Sequence, residues 1–167
     1  MKSRHFLSFA SKVTAAHIIT YFIAGAIAYP LLTKGFYVGP NPIFRVFLRT
    51  EAEPELWQHA VNWFLPAQFL RGLLMAAALY PFFNTLLYWS FTKRFLSISG
   101  LYIVLGFWAA AVAAPGTIEG MVYMRPIFTP VVHLKVQPEI VLQGLAWGAL
   151  VAFWIGPPPL ERAQGSC

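Results

Sequence analysis

Apolar residues fall in four long runs, Val13–Leu32, Phe69–Trp89, Phe95–Ala114 and Ile140–Ile155, separated by stretches rich in proline, glycine and charge. A helix crosses a hydrocarbon core with about 20 mostly apolar residues, or about 17 at the short end. Three runs meet that length directly. The fourth meets it once Pro138 and Glu139, or the Gly156-Pro157 edge, are included. The pattern predicts four transmembrane helices at about 13–32, 66–89, 95–115 and 138–156, joined by outer connections at 33–65 and 116–137. Four spans and their connections use up the 167 residues, so the fold class is an all-α integral membrane protein with a single membrane domain.

The connections carry their own signals. Gly39-Pro40-Asn41-Pro42 breaks any helix, and the acidic stretch Glu51-Ala52-Glu53-Pro54-Glu55 follows. Trp57 and Trp63 suit the outer headgroup level, and Trp89 and Trp154 the cytoplasmic one. The first connection is expected to lie along the outer interface. The third, with Pro126, Pro130 and Pro138, is expected to be ordered but irregular.

The two halves correspond. Ala26-Ile27-Ala28-Tyr29-Pro30 with Gly35 matches Ala111-Val112-Ala113-Ala114-Pro115 with Gly120, at a constant offset of 85 residues (30 to 115, 35 to 120). Leu70-Arg71-Gly72-Leu73 matches Leu142-Gln143-Gly144-Leu145. Read as a duplication, this gives two tandem parallel helical hairpins, related by an axis along the membrane normal. A plain up-down four-helix bundle accommodates the same spans. Small residues recur every fourth position, as Ala16/Thr20/Ala24/Ala28, Gly72/Ala76, Gly106/Ala110/Ala114 and Gly144/Gly148/Ala152. Such stripes let helix backbones approach closely in lipid. They pack within the chain or form a seam to a second copy or a larger membrane complex.

Composition agrees with a lipid environment: 58% hydrophobic, 17% aromatic and 11% charged residues, with mean hydropathy +0.61. The net charge of +6 does not point to nucleic acid, because the basic residues form no patch. Lys2, Arg4 and Lys12 precede the first span, Lys93-Arg94 separate the second and third, and Arg162 follows the fourth. The positive-inside rule therefore puts both termini in the cytoplasm, with the chain in the cell membrane. Ala26-Ile27-Ala28 resembles a signal-peptide cleavage site, but the apolar run is long for one, and an uncleaved first span is expected. The lone cysteine, Cys167, gives no disulfide within the chain.

Ionisable and amide groups near the spans mark the candidate site. Gln68 and Arg71 share one helix face, as do Glu139 and Gln143, and Glu119 follows the outer end of the third span. All are expected at one level near the outer surface, with Arg71 paired to Glu119, since an intramembrane charge needs a partner or a purpose. His59 and His133 are weak metal candidates with Glu119 and Glu139. His17 reads as an interhelical hydrogen-bonding residue. There is no histidine pair at metal spacing, no nucleophile motif and no phosphate loop, so no cofactor is expected. The function read from these features is a multi-pass inner- or plasma-membrane protein of binding or transport type, or an accessory subunit of a membrane complex. The alternative is an integral membrane enzyme acting on a lipid or lipid-linked substrate at the outer interface, through Glu119, His133 and Arg71.

Overall fold

The computed structural model describes residues 2–40 and 42–156, with side chains from His5 onward; Asn41, Arg162 and Cys167 lie outside the described residues. Every regular element among them is helical. Helix α1 (Lys2–Ala28) passes through a π turn, Tyr29–Thr33, into α2 (Lys34–Tyr37). Pro30 accounts for the turn. It has no N–H to give, and its ring crowds the carbonyl four residues back. Widening to i→i+5 bonding, with the Lys34 N–H on the Tyr29 carbonyl, absorbs the proline without ending the helix.

Prolines also explain where the expected boundaries move. Helix α3 (Pro54–Leu79) starts at Pro54 and runs straight through Pro66. A proline in the first turn is tolerated because its missing N–H has no intrahelical partner there. One inside a membrane helix is tolerated where neighbouring groups take over the freed carbonyl. A 3₁₀ turn at Tyr80–Phe82 leads into α4 (Phe83–Tyr88). The last helix, α7 (Pro130–Ile155), likewise starts on a proline and contains Pro138. The connections are therefore shorter than the expected 33–65 and 116–137, and the last two-thirds of the Pro54–Tyr88 helix and of α7 correspond to the expected spans.

Helix α5 (Phe91–Gly100) starts at Ser90, whose hydroxyl accepts the Lys93 N–H. It continues as a π helix over Leu101–Trp108 and stops there, short of the expected 115. The chain then turns on itself before α6 (Ile118–Tyr123). Gly116 adopts φ 92°, which a side chain disfavours. A Cβ there would come 2.5 Å from the Phe107 ring. Thr117 caps α6 by accepting the Gly120 N–H at 2.8 Å.

Among the described residues three helices are long and apolar enough to cross a membrane: His5–Tyr37, Pro54–Tyr88 and Pro130–Ile155. Helix α1 packs against α3 on one side and α7 on the other, and α5 packs against the far side of α7. The order α3–α1–α7–α5 is an arc whose two ends, α3 and α5, have no comparable contact with each other. Small residues make these approaches possible. A Cβ on Gly72 would come 2.9 Å from Thr14 Cα, and one on Gly144 2.6 Å from Ile103 Cγ1. Gly148 abuts Ser99. These glycine faces are thus used within the chain, whereas Gly106 of the third stripe is exposed.

Two cations cap helix C-termini at one end of the helices. Arg94, nearly fully buried, donates from Nη1 to the Leu86 carbonyl at 3.2 Å. Lys12 Nζ donates to the Trp154 carbonyl at 2.9 Å. Positive charge at a helix C-terminus meets both the unpaired carbonyls and the negative end of the dipole. At the opposite end, Phe44, Phe128 and Val132 form a second small core with Phe36 and Tyr37.

Candidate functional site

Polar side chains from four elements meet inside the arc. Helix α1 contributes His17 and Tyr21, α3 Gln68 and Arg71, the π helix Tyr102, and α7 Glu139 and Gln143. His17 is fully buried, and its Nε2 lies 3.0 Å from Gln68 Oε1, tying α1 to α3. The other ring nitrogen, Nδ1, is buried without a hydrogen-bond partner. Gln143 is 5% exposed, and its Nε2 is a buried donor without a partner. The adjacent Gly144 lets the Tyr102 ring come against α7.

Arg71 stands at the midpoint of the Pro54–Tyr88 helix rather than near its outer end. The cause is the early start of α3. Its Cζ lies 5.9 Å from the centroid of the Tyr102 ring, the range of a cation–π contact. Glu139, half-buried, packs its carboxylate toward α1 at Gly25. Among the described residues the one ion pair is Arg45–Glu53, at 3.0 Å. Arg71 is exposed beside exposed Phe69, Leu70 and Leu74, and forms neither an ion pair nor a hydrogen bond there.

The expected Arg71–Glu119 pair is absent. Glu119 sits in the first turn of α6, where the helix dipole favours a carboxylate. The acid near the Tyr21–Tyr102 cluster is Glu139. His133 is buried and accepts the Gly116 N–H on Nδ1 at 2.8 Å, a structural use that pins the turn before α6. His59 is exposed beside the Trp63 ring. Among the described residues no three His, Cys or acidic side chains gather as a metal site.

A groove opens on the unclosed side of the arc. Arg71, Met75, Ala78, Tyr102, Gly106 and Trp147 line a cavity of about 400 Å³. A second cavity, of about 590 Å³, shares Leu79, Phe82 and Leu101 with it and runs on to Leu86 and Trp89. Arg71 is the one charged side chain in either wall. A guanidinium there offers a planar fork of N–H donors suited to a carboxylate or phosphate.

The sequence singled out Gln68, Arg71, Glu139 and Gln143 from their spacing. It did not single out Tyr102, an unremarkable tyrosine in an apolar run, nor Tyr21 beyond its place one turn after His17. Both enter the site only through tertiary packing. No family model, curated protein or solved structure matches the chain.

Proposed function

We propose that this is a four-span membrane protein of the binding or transport type, with an anion-binding site at Arg71 facing the open side of its helical arc. The observation that carries the reading is Arg71 itself: a guanidinium at the middle of a long apolar helix, exposed in a groove, with no carboxylate partner among the described residues. A charge in that setting costs about 2.5–3.5 kcal/mol at the centre of a membrane helix. A bound anion would remove that cost. Glu139, Gln143 and the Tyr21 and Tyr102 hydroxyls supply the polar surroundings.

In this reading the fourth span is α5 with its π extension, both termini are cytoplasmic, and the four helices form two hairpins, α1/α3 and α5/α7. The packing matches the duplication on one side only, since Ser99 meets Gly148, one turn beyond the Gly144 that aligns with Gly72. In one hairpin Thr14 faces Gly72, and in the other Ser99 faces Gly148. Thr14 and Ser99 are separated by the same 85 residues that relate Pro30 to Pro115.

The test is thermal unfolding of the purified protein in neutral detergent against a panel of anionic and neutral compounds. A ligand that binds the native state alone raises Tm. At least one anionic compound should raise the Tm of the wild type and fail to do so for Arg71→Gln. Equal responses from the two proteins would overturn the anion site.

A further inference from the structure

The geometry points to the occupant of the groove: we propose that it holds the hydrocarbon chain of an anionic lipid whose headgroup sits on Arg71. The inference rests on the reading of Arg71 as an anion site and names its ligand class.

Charge complementarity is the first argument. Arg71 is the single charge on otherwise apolar walls, so the occupant needs one anionic end and a long apolar remainder. Length is the second. From Arg71 to Leu86 the groove follows the helix for about 22 Å at 1.5 Å per residue, the reach of an extended long acyl chain. The two volumes, about 400 and 590 Å³, lie in the usual range for small-molecule pockets, about 300–1,000 Å³.

The walls favour a thin chain over a partner helix. Helices meet in lipid through small-residue faces, and the Gly72/Ala76 and Gly144/Gly148/Ala152 faces are already used inside the arc. The groove presents Leu79, Phe82, Leu86, Leu101 and Leu105, interspersed with Ala78, Gly100 and Gly106. Such side chains leave gaps that a flexible chain can follow. At the far end Lys93 Nζ lies 4.6 Å from the Trp89 ring centroid, which gives the groove a polar, aromatic boundary.

Two glycines allow the groove to be filled from within. A Cβ on Gly100 meets nothing within 4 Å, and one on Gly106 meets only the Leu101 carbonyl at 3.9 Å. Gly100→Leu and Gly106→Leu therefore add bulk at the walls of the two cavities from positions where the Cβ itself meets no clash.

The experiment is native mass spectrometry of the full chain in neutral detergent, titrated with dioleoyl phosphatidic acid, dihexanoyl phosphatidic acid, dioleoyl phosphatidylcholine and inorganic phosphate. Dioleoyl phosphatidic acid should bind at least about tenfold more tightly than the other three. Arg71→Gln, and separately Gly100→Leu with Gly106→Leu, should each weaken it by about tenfold or more, with helix content unchanged by circular dichroism. The chain-length comparison on the wild type needs no variant and stands even if the leucine variants misfold. Dihexanoyl phosphatidic acid or inorganic phosphate binding as tightly as the dioleoyl lipid, still dependent on Arg71, would keep the anion site and overturn the lipid groove. Binding indifferent to Arg71 would overturn both. A polypeptide retained in the groove after delipidation would also overturn the lipid assignment.

Discussion

Alanine substitution at three glycines separates helix propensity from packing. Each Gly→Ala change gains up to about 1 kcal/mol in a helix interior. At Gly100 the new methyl meets nothing within 4 Å, so that gain is the whole effect. At Gly144 the methyl would lie 2.6 Å from Ile103 Cγ1 and 2.8 Å from Tyr102 Cδ1, and at Gly148 2.9 Å from the Ser99 backbone nitrogen. A side chain can rotate aside, but a helix backbone yields only if α5 moves off α7. Overpacking of this kind costs about 1–3 kcal/mol. Gly144→Ala and Gly148→Ala should therefore be about 1–3 kcal/mol less stable than Gly100→Ala, measured by reversible unfolding in mixed micelles. All three variants agreeing within about 0.5 kcal/mol would refute the α5–α7 contact.

Four further outcomes follow from the same geometry. Gly116→Ala should destabilise by about 1–3 kcal/mol, since φ 92° is costly for any residue with a Cβ; thermal unfolding reads this. His133→Ala removes the acceptor of the Gly116 N–H and should cost about 1–3 kcal/mol for a buried donor left unpaired. Glu119→Gln in the same assay should cost under about 1 kcal/mol, because only the dipole of a short helix is involved. A double-mutant cycle of His17→Leu and Gln68→Leu should give a coupling of about 0.6–1.7 kcal/mol, the range of interhelical hydrogen bonds in membranes; zero coupling would remove that bond from the account.

The apolar runs located the three long helices because membrane-grade hydrophobicity is a local property of sequence. Their ends were less legible. Pro54, Pro66, Pro130 and Pro138 are breakers in water, yet here they start helices or sit inside them. The early end of the α5 helix depends on one backbone angle at Gly116 and one hydroxyl at Thr117, which no hydropathy pattern records. Spacing alone put Gln68 with Arg71 and Glu139 with Gln143, since i+3 and i+4 fix a helix face. It could not tell that Glu139, rather than Glu119, packs against α1, because both follow or begin an expected span. That choice is made by α7 packing on α1 at Gly25. Arg94, read as a topogenic charge, is also a buried cap on the Leu86 carbonyl.

The central claim is that Arg71 has no anionic partner among the described residues, and its most direct test is the stability of Arg71→Gln in bilayers of neutral lipid alone. Removing an uncompensated charge should recover part of about 2.5–3.5 kcal/mol, less about 0.5–2 kcal/mol for the lost contact with Tyr102. The variant should then be as stable as the wild type or more so. A loss of about 3–5 kcal/mol, the signature of a broken buried ion pair, would contradict the account.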